Sequence, residues 1–134
     1  MPDSDTPAEP PKGNLLAGKR GLIMGVANNM SLAWGISAAC AAQGAELAFT
    51  YQGEALGKRV KPLAESLGSD IVLPCDVSDD ASMDAAFAEV AARWGKLDFL
   101  VHAIGYADKN FLRGRYVDTP RNVFLQALDI SCFS

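Results

Sequence analysis

The first segment that could carry chemistry is a short stretch rich in glycine and small polar residues, between an apolar run and a helical pattern. It reads Gly25-Val-Ala-Asn-Asn-Met-Ser31-Leu32-Ala-Trp-Gly35. Amides at a helix N-terminus bind phosphate oxygens, and a glycine just before the helix lets the backbone approach a ligand. Ser31 fits as the N-cap, with its hydroxyl and amide open to a phosphate, and Gly35 would allow close packing on a strand. The GxGxxG pattern is absent, so a purely structural role for these glycines stays open.

Polar residues also follow the next two apolar runs. Gln52 ends a predicted strand, at a position where dinucleotide-binding proteins often hold the adenosine ribose with an acidic residue. Gln52 is neutral, so charge alone does not settle the choice of cofactor. Asp76 could accept a hydrogen bond from an adenine amino group, with the Val77 amide beside it. The alternatives are a plain strand-exit residue at 52 and a turn or capping aspartate at 76.

The fourth apolar run contributes three further candidates, His102, Ile104 and Gly105. Gly105 would let a flat group lie against the backbone, and Ile104 would cover a cofactor face or simply belong to the core. His102 could be a general base, but its apolar neighbours favour a hydrogen-bonded core histidine. None of the three tyrosines has a lysine four residues later: Tyr51, Tyr106, Tyr116.

Strands and helices that would position these residues alternate along the chain. Strands are predicted over 20–26, 46–51, 70–74 and 97–104, and helices over 31–43, 54–67, 79 or 80 to 94, and from Thr119-Pro120 onward. Pro62 could kink or split the second helix. The order predicts an α/β fold: the N-terminal βαβαβαβα half of a Rossmann-like, doubly wound parallel sheet, in three αβα layers.

Composition narrows the class of protein. The chain has 134 residues, is 49% hydrophobic and carries a net charge of −4, as expected of one globular domain or part of one. Its acidity argues against a nucleic-acid partner, and no apolar run approaches the roughly 18–20 residues that span a bilayer. Without a signal-peptide pattern, a cytoplasmic location is the expectation.

Domain boundaries follow from the same reading. Residues 1–14 are acidic and Pro-rich, and we expect a disordered leader there. Residues 15–134 would then be a dinucleotide-binding Rossmann half-domain. Because the fourth strand would be an open edge and the last helix is uncapped at Ser134, we expect a truncated domain that continues in a longer protein.

The cysteines show no pairing pattern. Cys40, Cys75 and Cys132 are widely spaced, and no CxxC occurs. An odd count with such spacing argues against a disulfide framework or a zinc site, and a single histidine excludes a His-rich metal site. Each cysteine has apolar neighbours, so we expect three buried structural thiols.

Several of these segments occur together in one known family. They are Gly25-x5-Ser31-x3-Gly35, the runs 46–52, 68–77 and 101–107, and Asp129-Ile-Ser131. In this order they closely resemble the bacterial NADH-dependent enoyl-acyl-carrier-protein reductases, a divergent group of short-chain dehydrogenases/reductases. The resemblance runs from about residue 13 to the end of the chain. Ordinary members of the wider group carry a TGxxxGxG turn, whereas here Asn29 and Ser31 replace its later glycines.

The resemblance implies a function and a set of contacts. It implies NAD(H) contacts at Gly25, Ser31, Leu32, Gln52, Asp76, Val77 and Ile104, and approach of the acyl substrate at Ala107. The family transfers hydride from NADH to the β-carbon of a trans-2-enoyl thioester on acyl-carrier protein, and its members are typically homotetramers. Its catalytic tyrosine and lysine, six residues between them, belong downstream of a fifth strand, so no catalytic residue is assigned in this chain.

Two other functions stay open. One is a short-chain dehydrogenase acting on a ketone or alcohol, which the altered glycine turn disfavours. The other is a non-catalytic nucleotide-binding remnant. For residues 1–134 alone we expect no activity and weak NADH binding.

Overall fold

Four parallel strands form the centre of the computed structural model, which describes residues 8–134. They lie in the order β3-β2-β1-β4, with each pair parallel. Parallel neighbours require crossover connections, which the intervening helices supply. The strands are β1 (Arg20–Met24), β2 (Glu46–Tyr51), β3 (Val72–Pro74) and β4 (Phe99–His102). The predicted Rossmann-like α/β fold is confirmed.

Helices connect the strands and follow the last one. They are α1 (Leu32–Ala42), α2 (Glu54–Ser66), α3 (Asp80–Trp94) and α4 (Arg121–Leu128), and α4 continues into a π turn, Asp129–Phe133. Pro62 lies inside α2 without interrupting it. The predicted start of the last helix was wrong by one residue, because Pro120 is the N-cap and its carbonyl accepts the first helical bond, from Phe124.

Alternate residues of β1 face two different hydrophobic clusters. Leu22 and Met24 pack with the α3 residues Ala86 and Val90. Ile23 packs on the other face, against α1 and α2, in a cluster with Val26, Ala33, Leu47, Phe49, Val60 and Ala64. This period-two alternation is what a strand covered on both faces requires, and it confirms the three αβα layers.

The predicted leader is only partly described. Residues 1–7 lie outside the described residues, and residues 8–14 contain no helix or strand. The Gly13 N–H donates to the Ala42 carbonyl (2.9 Å), and the Gln43 side-chain amide donates to the Pro11 carbonyl (2.8 Å). This segment is therefore bound along the C-terminal end of α1, and the predicted domain boundary at residue 14 stays a prediction.

The thiols differ in exposure. Cys75 is buried, Cys40 is half-buried and Cys132 is exposed, and all three are free. The expectation of three buried cysteines is therefore met by Cys75, only partly by Cys40, and was wrong for Cys132, because the π turn that carries it has no buried residue. Within residues 8–134, no helix is both long and apolar enough to cross a membrane.

Candidate active site

A cavity of about 440 Å³ lies at the carboxyl edge of the sheet. The crossovers from β1 to β2 and from β2 to β3 run over one face of the sheet, and the crossover from β3 to β4 runs over the other. The direction in which successive strands are added to the sheet therefore reverses between β1 and β4. Such a switch point opens a crevice, which is the usual ligand site of doubly wound sheets. The end of β2 and the segments that follow β1, β3 and β4 line the cavity, at 50–52, 25–27, 75–78 and 103–106.

Gly25 is the residue on which β1 and the segment after β4 meet. Its φ is +108°, a conformation that favours glycine, and a Cβ there would overlap the Ala103 carbonyl oxygen. The sequence suggested that this glycine lets the backbone approach a ligand. The structure adds an intramolecular reason, since the backbone after β4 occupies the space that a side chain would take.

The turn between β1 and α1 is closed by Ser31. Its hydroxyl donates to the Asn28 carbonyl (2.5 Å) and accepts from the amides of Ala27 (3.3 Å) and Asn28 (3.4 Å). Ser31 is the N-cap by position, yet its side chain makes no capping bond to the helix. In the first turn of α1, the Trp34 amide already donates to the Ser31 carbonyl (3.0 Å), whereas the amides of Leu32 and Ala33 have no intrahelical acceptor by helix geometry. These two backbone amides could therefore donate to a phosphate.

Two residues of α1 point away from the cavity. The Leu32 side chain is 85% exposed, and with Ser31 it lines a shallow groove on the outer face of the helix. A Cβ at Gly35 would meet no atom within 4 Å. The prediction that Gly35 allows close helix–strand packing was therefore wrong, because this position faces outward.

Asp76 is held in one orientation after β3. Its Oδ1 accepts from the amide (2.9 Å) and the hydroxyl (2.6 Å) of Ser78, while its own amide donates to Ser82 Oγ (2.9 Å). The bonds from Ser78, with a smaller contribution from the neighbouring Gln52 side chain, lower the pKa of Asp76. The carboxylate is therefore ionised near neutral pH and able to accept a bond from a ligand amino group.

Cys75 lies beside this carboxylate. Burial, with a smaller contribution from the charge of Asp76, raises the pKa of the Cys75 thiol. The thiol is thus protonated near neutral pH and has little nucleophilic character. Cys75 lines the cavity as a small apolar group.

The far wall of the cavity comes from the segment after β4 and from the end of α4. Tyr106, Gln126 and Ile130 all line the cavity, and the Tyr106 backbone is hydrogen-bonded to Ser131, the residue after Ile130. His102 is half-buried and makes a 3.0 Å hydrogen bond from Nε2 to Ser134 Oγ, outside the cavity lining. This arrangement favours the hydrogen-bonded structural role over the general base.

Most of the predicted contact residues meet at the cavity. Its lining includes Gly25, Gln52, Asp76, Val77 and Ile104. Ser31 and Leu32 lie on the neighbouring groove, and Ala107 follows Tyr106 just outside the lining. Individual cofactor and substrate contacts stay predictions.

Sequence reasoning missed the residues that orient the predicted ones. Ser78 had a local signal, because an aspartate two residues before a serine is typical of an Asx turn. Gln126 had no signal, and Ile130 and Ser131 were noted only as part of the segment Asp129-Ile-Ser131 in the family resemblance, with no role assigned, since all three reach the site from α4 and the π turn.

Comparison with known sequences identifies relatives of this chain. The family model described as enoyl-(acyl carrier protein) reductase matches residues 25–134. Enoyl-(acyl-carrier-protein) reductase (NADH) 2 of Rhizobium meliloti is 66% identical over 120 residues, which cover 90% of this chain and 45% of that protein. The Salmonella typhimurium enoyl-(acyl-carrier-protein) reductase (NADH) is 52% identical, over 89% of this chain and 46% of its own length. The chain thus spans about half the length of these relatives.

Solved structures of enoyl-(acyl-carrier-protein) reductases have the same fold as this chain. The Anaplasma phagocytophilum enoyl-(acyl-carrier-protein) reductase, crystallised with NAD, superposes with a TM-score of 0.88 at 56% identity, over 92% of this chain and 47% of that one. The Bacillus cereus enzyme, crystallised with NADP+ and indole naphthyridinone, gives a TM-score of 0.87 at 43% identity, over 90% and 48%.

Proposed function

This chain belongs to the enoyl-(acyl-carrier-protein) reductase family, and on that premise we propose that its cavity binds NADH for the reduction of trans-2-enoyl thioesters carried on acyl-carrier protein. When bound, the cofactor supplies the hydride that reduces the enoyl double bond. The observation that carries the proposal is the meeting of Gly25, Asp76 and Ile104 at one switch-point cavity. The residues of this chain bind and orient the cofactor.

The adenosine end fits the carboxyl ends of β2 and β3. Asp76 is ionised and fixed by Ser78, so it can accept a bond from the adenine amino group. Val77 presents its amide and an apolar side chain beside it, and Gln52 offers a carboxamide to the ribose. A charge-assisted bond of this kind is stronger than a neutral one, so we expect Asp76 to dominate adenosine recognition.

The pyrophosphate fits the turn before α1. This helix starts at Leu32 with no acidic residue in its first turn, so its N-terminal amides and positive dipole end favour an anion. The Ser31 hydroxyl already bonds within the turn, and we assign phosphate binding to the backbone of the turn. The nicotinamide then lies between Ile104 and Gly105, where a Cβ on the glycine would meet no atom.

The charges around the cavity favour NADH over NADPH. Of the residues that line it within 8–134, Asp76 alone carries a formal charge. No arginine or lysine is placed there to pair with a 2′-phosphate, and the nearby carboxylate would repel one. NADPH remains the alternative, since the Bacillus cereus relative was crystallised with NADP+.

Assembly and location belong to the same proposal. Exposed apolar side chains of α4, Phe124, Leu125 and Leu128, support association of copies into a homotetramer. The free thiols support a reducing, cytoplasmic location. Light scattering after size-exclusion chromatography tests the proposed association of copies, and a monomer at micromolar concentration would contradict it.

Titration with NADH, followed by its fluorescence, tests cofactor binding. We expect weak but saturable binding by the 134-residue chain, and about a tenfold loss of affinity in Asp76→Asn, because a bond to a charged group is removed. Asp84→Asn, which removes an exposed carboxylate of α3, is the matched control and should bind like the wild type. Absence of saturable binding, or equal losses in both variants, would contradict the proposal.

Turnover is tested separately. The protein that carries residues 1–134 within the full length of its relatives should oxidise NADH when given a crotonyl thioester, measured at 340 nm. Oxidation supported instead by a ketone, with the thioester inert, would favour the short-chain dehydrogenase alternative.

A further inference from the structure

One side chain satisfies both backbone polar groups of Tyr106. The Tyr106 N–H donates to Ser131 Oγ (2.9 Å), and the Ser131 hydroxyl donates to the Tyr106 carbonyl oxygen (3.2 Å). The two residues are 25 positions apart in the sequence. A single hydroxyl that accepts from and donates to the same residue fixes that peptide segment in position and in orientation.

Ser131 is presented by an unusual piece of backbone. It lies in the middle of the π turn that continues α4. Such turns are rare and widen the helix locally, which re-aims the side chains that it carries. Ile130, its neighbour in the same turn, lines the cavity, as do Gly105 and Tyr106. The Ser131–Tyr106 bonds therefore join the two segments that form this end of the cavity, the one after β4 and the one at the end of α4.

Few other contacts hold the segment after β4 and the end of α4 together. Neither α4 nor the π turn contributes a fully buried residue, and Phe133 is 84% exposed. The other hydrogen bond from this region to the segment around β4 joins Ser134 to His102, and neither of these residues lines the cavity. Because there is so little apolar packing, hydrogen bonds set the distance between the segment after β4 and the end of α4.

We propose that Ser131 is a positioning residue that holds the Gly105–Tyr106 backbone against the nicotinamide end of the bound cofactor. The proposal rests on the proposed function, because it needs a nicotinamide cofactor in this cavity. Ser131 acts through Tyr106 and touches no reacting atom. Its effect is therefore confined to ligands that extend past the pyrophosphate.

Paired titrations with NADH and ADP-ribose test this inference on the 134-residue chain. ADP-ribose lacks the nicotinamide, so it reports the adenosine and pyrophosphate contacts alone. We expect Ser131→Ala to weaken NADH binding about tenfold and to leave ADP-ribose binding within about twofold, since a lost pair of bonds frees one wall only. Ser131→Thr keeps the hydroxyl and should restore most of the NADH affinity.

Ser134→Ala is the matched control. It removes a serine hydroxyl that bonds to His102 of β4 (3.0 Å) and donates to the Ile130 carbonyl within its own turn (2.6 Å), but makes no bond to Gly105 or Tyr106. We expect its NADH and ADP-ribose affinities to match those of the wild type. Equal losses of both ligands in Ser131→Ala, or an unchanged NADH affinity, would overturn the positioning role while leaving the proposed function intact. Failure of the wild type to bind either ligand would overturn both.

Amide hydrogen exchange gives a readout that does not depend on a variant folding. In the wild-type chain, the Tyr106 amide should exchange slowly because its N–H is bonded to Ser131. NADH should slow this exchange further, and ADP-ribose should not. Fast exchange at Tyr106 in the presence of NADH would contradict the proposal.

Discussion

The side of the molecule built from β1, β2 and β3 and the side built from β4 and α4 bury their residues very differently. Phe49 on β2 and Val60 on α2 are fully buried, whereas Leu100 on β4 is 41% exposed and Phe124 on α4 is 40% exposed. α1, α2 and α3 each contribute buried residues, and α4 contributes none.

This difference divides the cavity into two mechanically distinct walls. The adenosine wall, at Gln52 and Asp76, continues directly from packed strands, so the core fixes its shape. The nicotinamide wall, at Tyr106 and Ile130, depends on a few hydrogen bonds. Substitutions on the first side should change global stability, and those on the second should act locally.

The largest effect is expected from matched truncations of two phenylalanines. Phe49→Ala should lower the free energy of unfolding by about 3–5 kcal/mol, because it opens a cavity in a closed core. Phe124→Ala removes a side chain that water already reaches, and should cost about 1 kcal/mol or less. Urea denaturation followed by circular dichroism measures both. Equal losses of the free energy of unfolding in the two variants would contradict the proposed difference between the two sides of the molecule.

A pair of glycine substitutions tests the joint between the two sides. Gly25→Ala places a Cβ onto the Ala103 carbonyl at a positive φ, so we expect a loss of about 2 kcal/mol or more. Gly35→Ala adds a Cβ in open space on a helix, and should stabilise the chain by about 0.5–1 kcal/mol. Thermal melting compares them, and a neutral Gly25→Ala would show that the two segments can separate freely.

The pH dependence of stability sharpens the description of the adenosine wall. A lowered pKa at Asp76 means that its ionised form stabilises the folded chain above the unfolded-state pKa. This stabilisation is lost as the pH falls through the folded-state pKa, below the ordinary value of 3.8. Asp76→Asn should therefore be less stable than the wild type at neutral pH and should converge with it in acid.

Ser78→Ala is the companion variant for that experiment. The hydroxyl bond from Ser78 is the largest cause of the lowered pKa, and the alanine variant removes it but keeps the backbone amide bond, so it should give the same trend with a smaller difference. Denaturation midpoints between about pH 3 and pH 7 measure the trend. A difference from the wild type that does not change with pH would contradict the assigned cause.

The smallest perturbation is chemical labelling of the thiols. Cys132 is exposed on the β4–α4 side and should react with a disulfide reagent at least about tenfold faster than Cys75, which is buried and has a raised pKa. Cys132→Ser should remove the fast phase and Cys75→Ser should leave it. A fast phase that survives Cys132→Ser would mean that the packed side opens as readily as the other.

Much of the fold could be predicted because its signals are local. The strand 46–51 was predicted with the bounds that the structure has, and the alternating helices were all found. The predicted strands 70–74 and 97–104 were too long, since pairing covers only Val72–Pro74 and Phe99–His102. Strand ends depend on where the partner strand ends, which local hydrophobicity does not encode.

The residues of the candidate site could also be predicted in part. Residues that follow parallel strands must meet at one sheet edge, so Gly25, Asp76 and Ile104 could be grouped without a structure. The direction of Gly35 and the bonding of the Ser31 hydroxyl could not be predicted, because they depend on helix rotation and turn geometry.

The sequence by itself determined the order of the elements and the polar residues at the strand ends, since hydrophobic period and turn chemistry act over a few residues. Only the tertiary structure decided that the backbone after β4 packs onto Gly25, and that Ser131 secures Tyr106. These contacts join segments far apart in the chain. Their geometry is set by how the layers pack, and no local pattern specifies it.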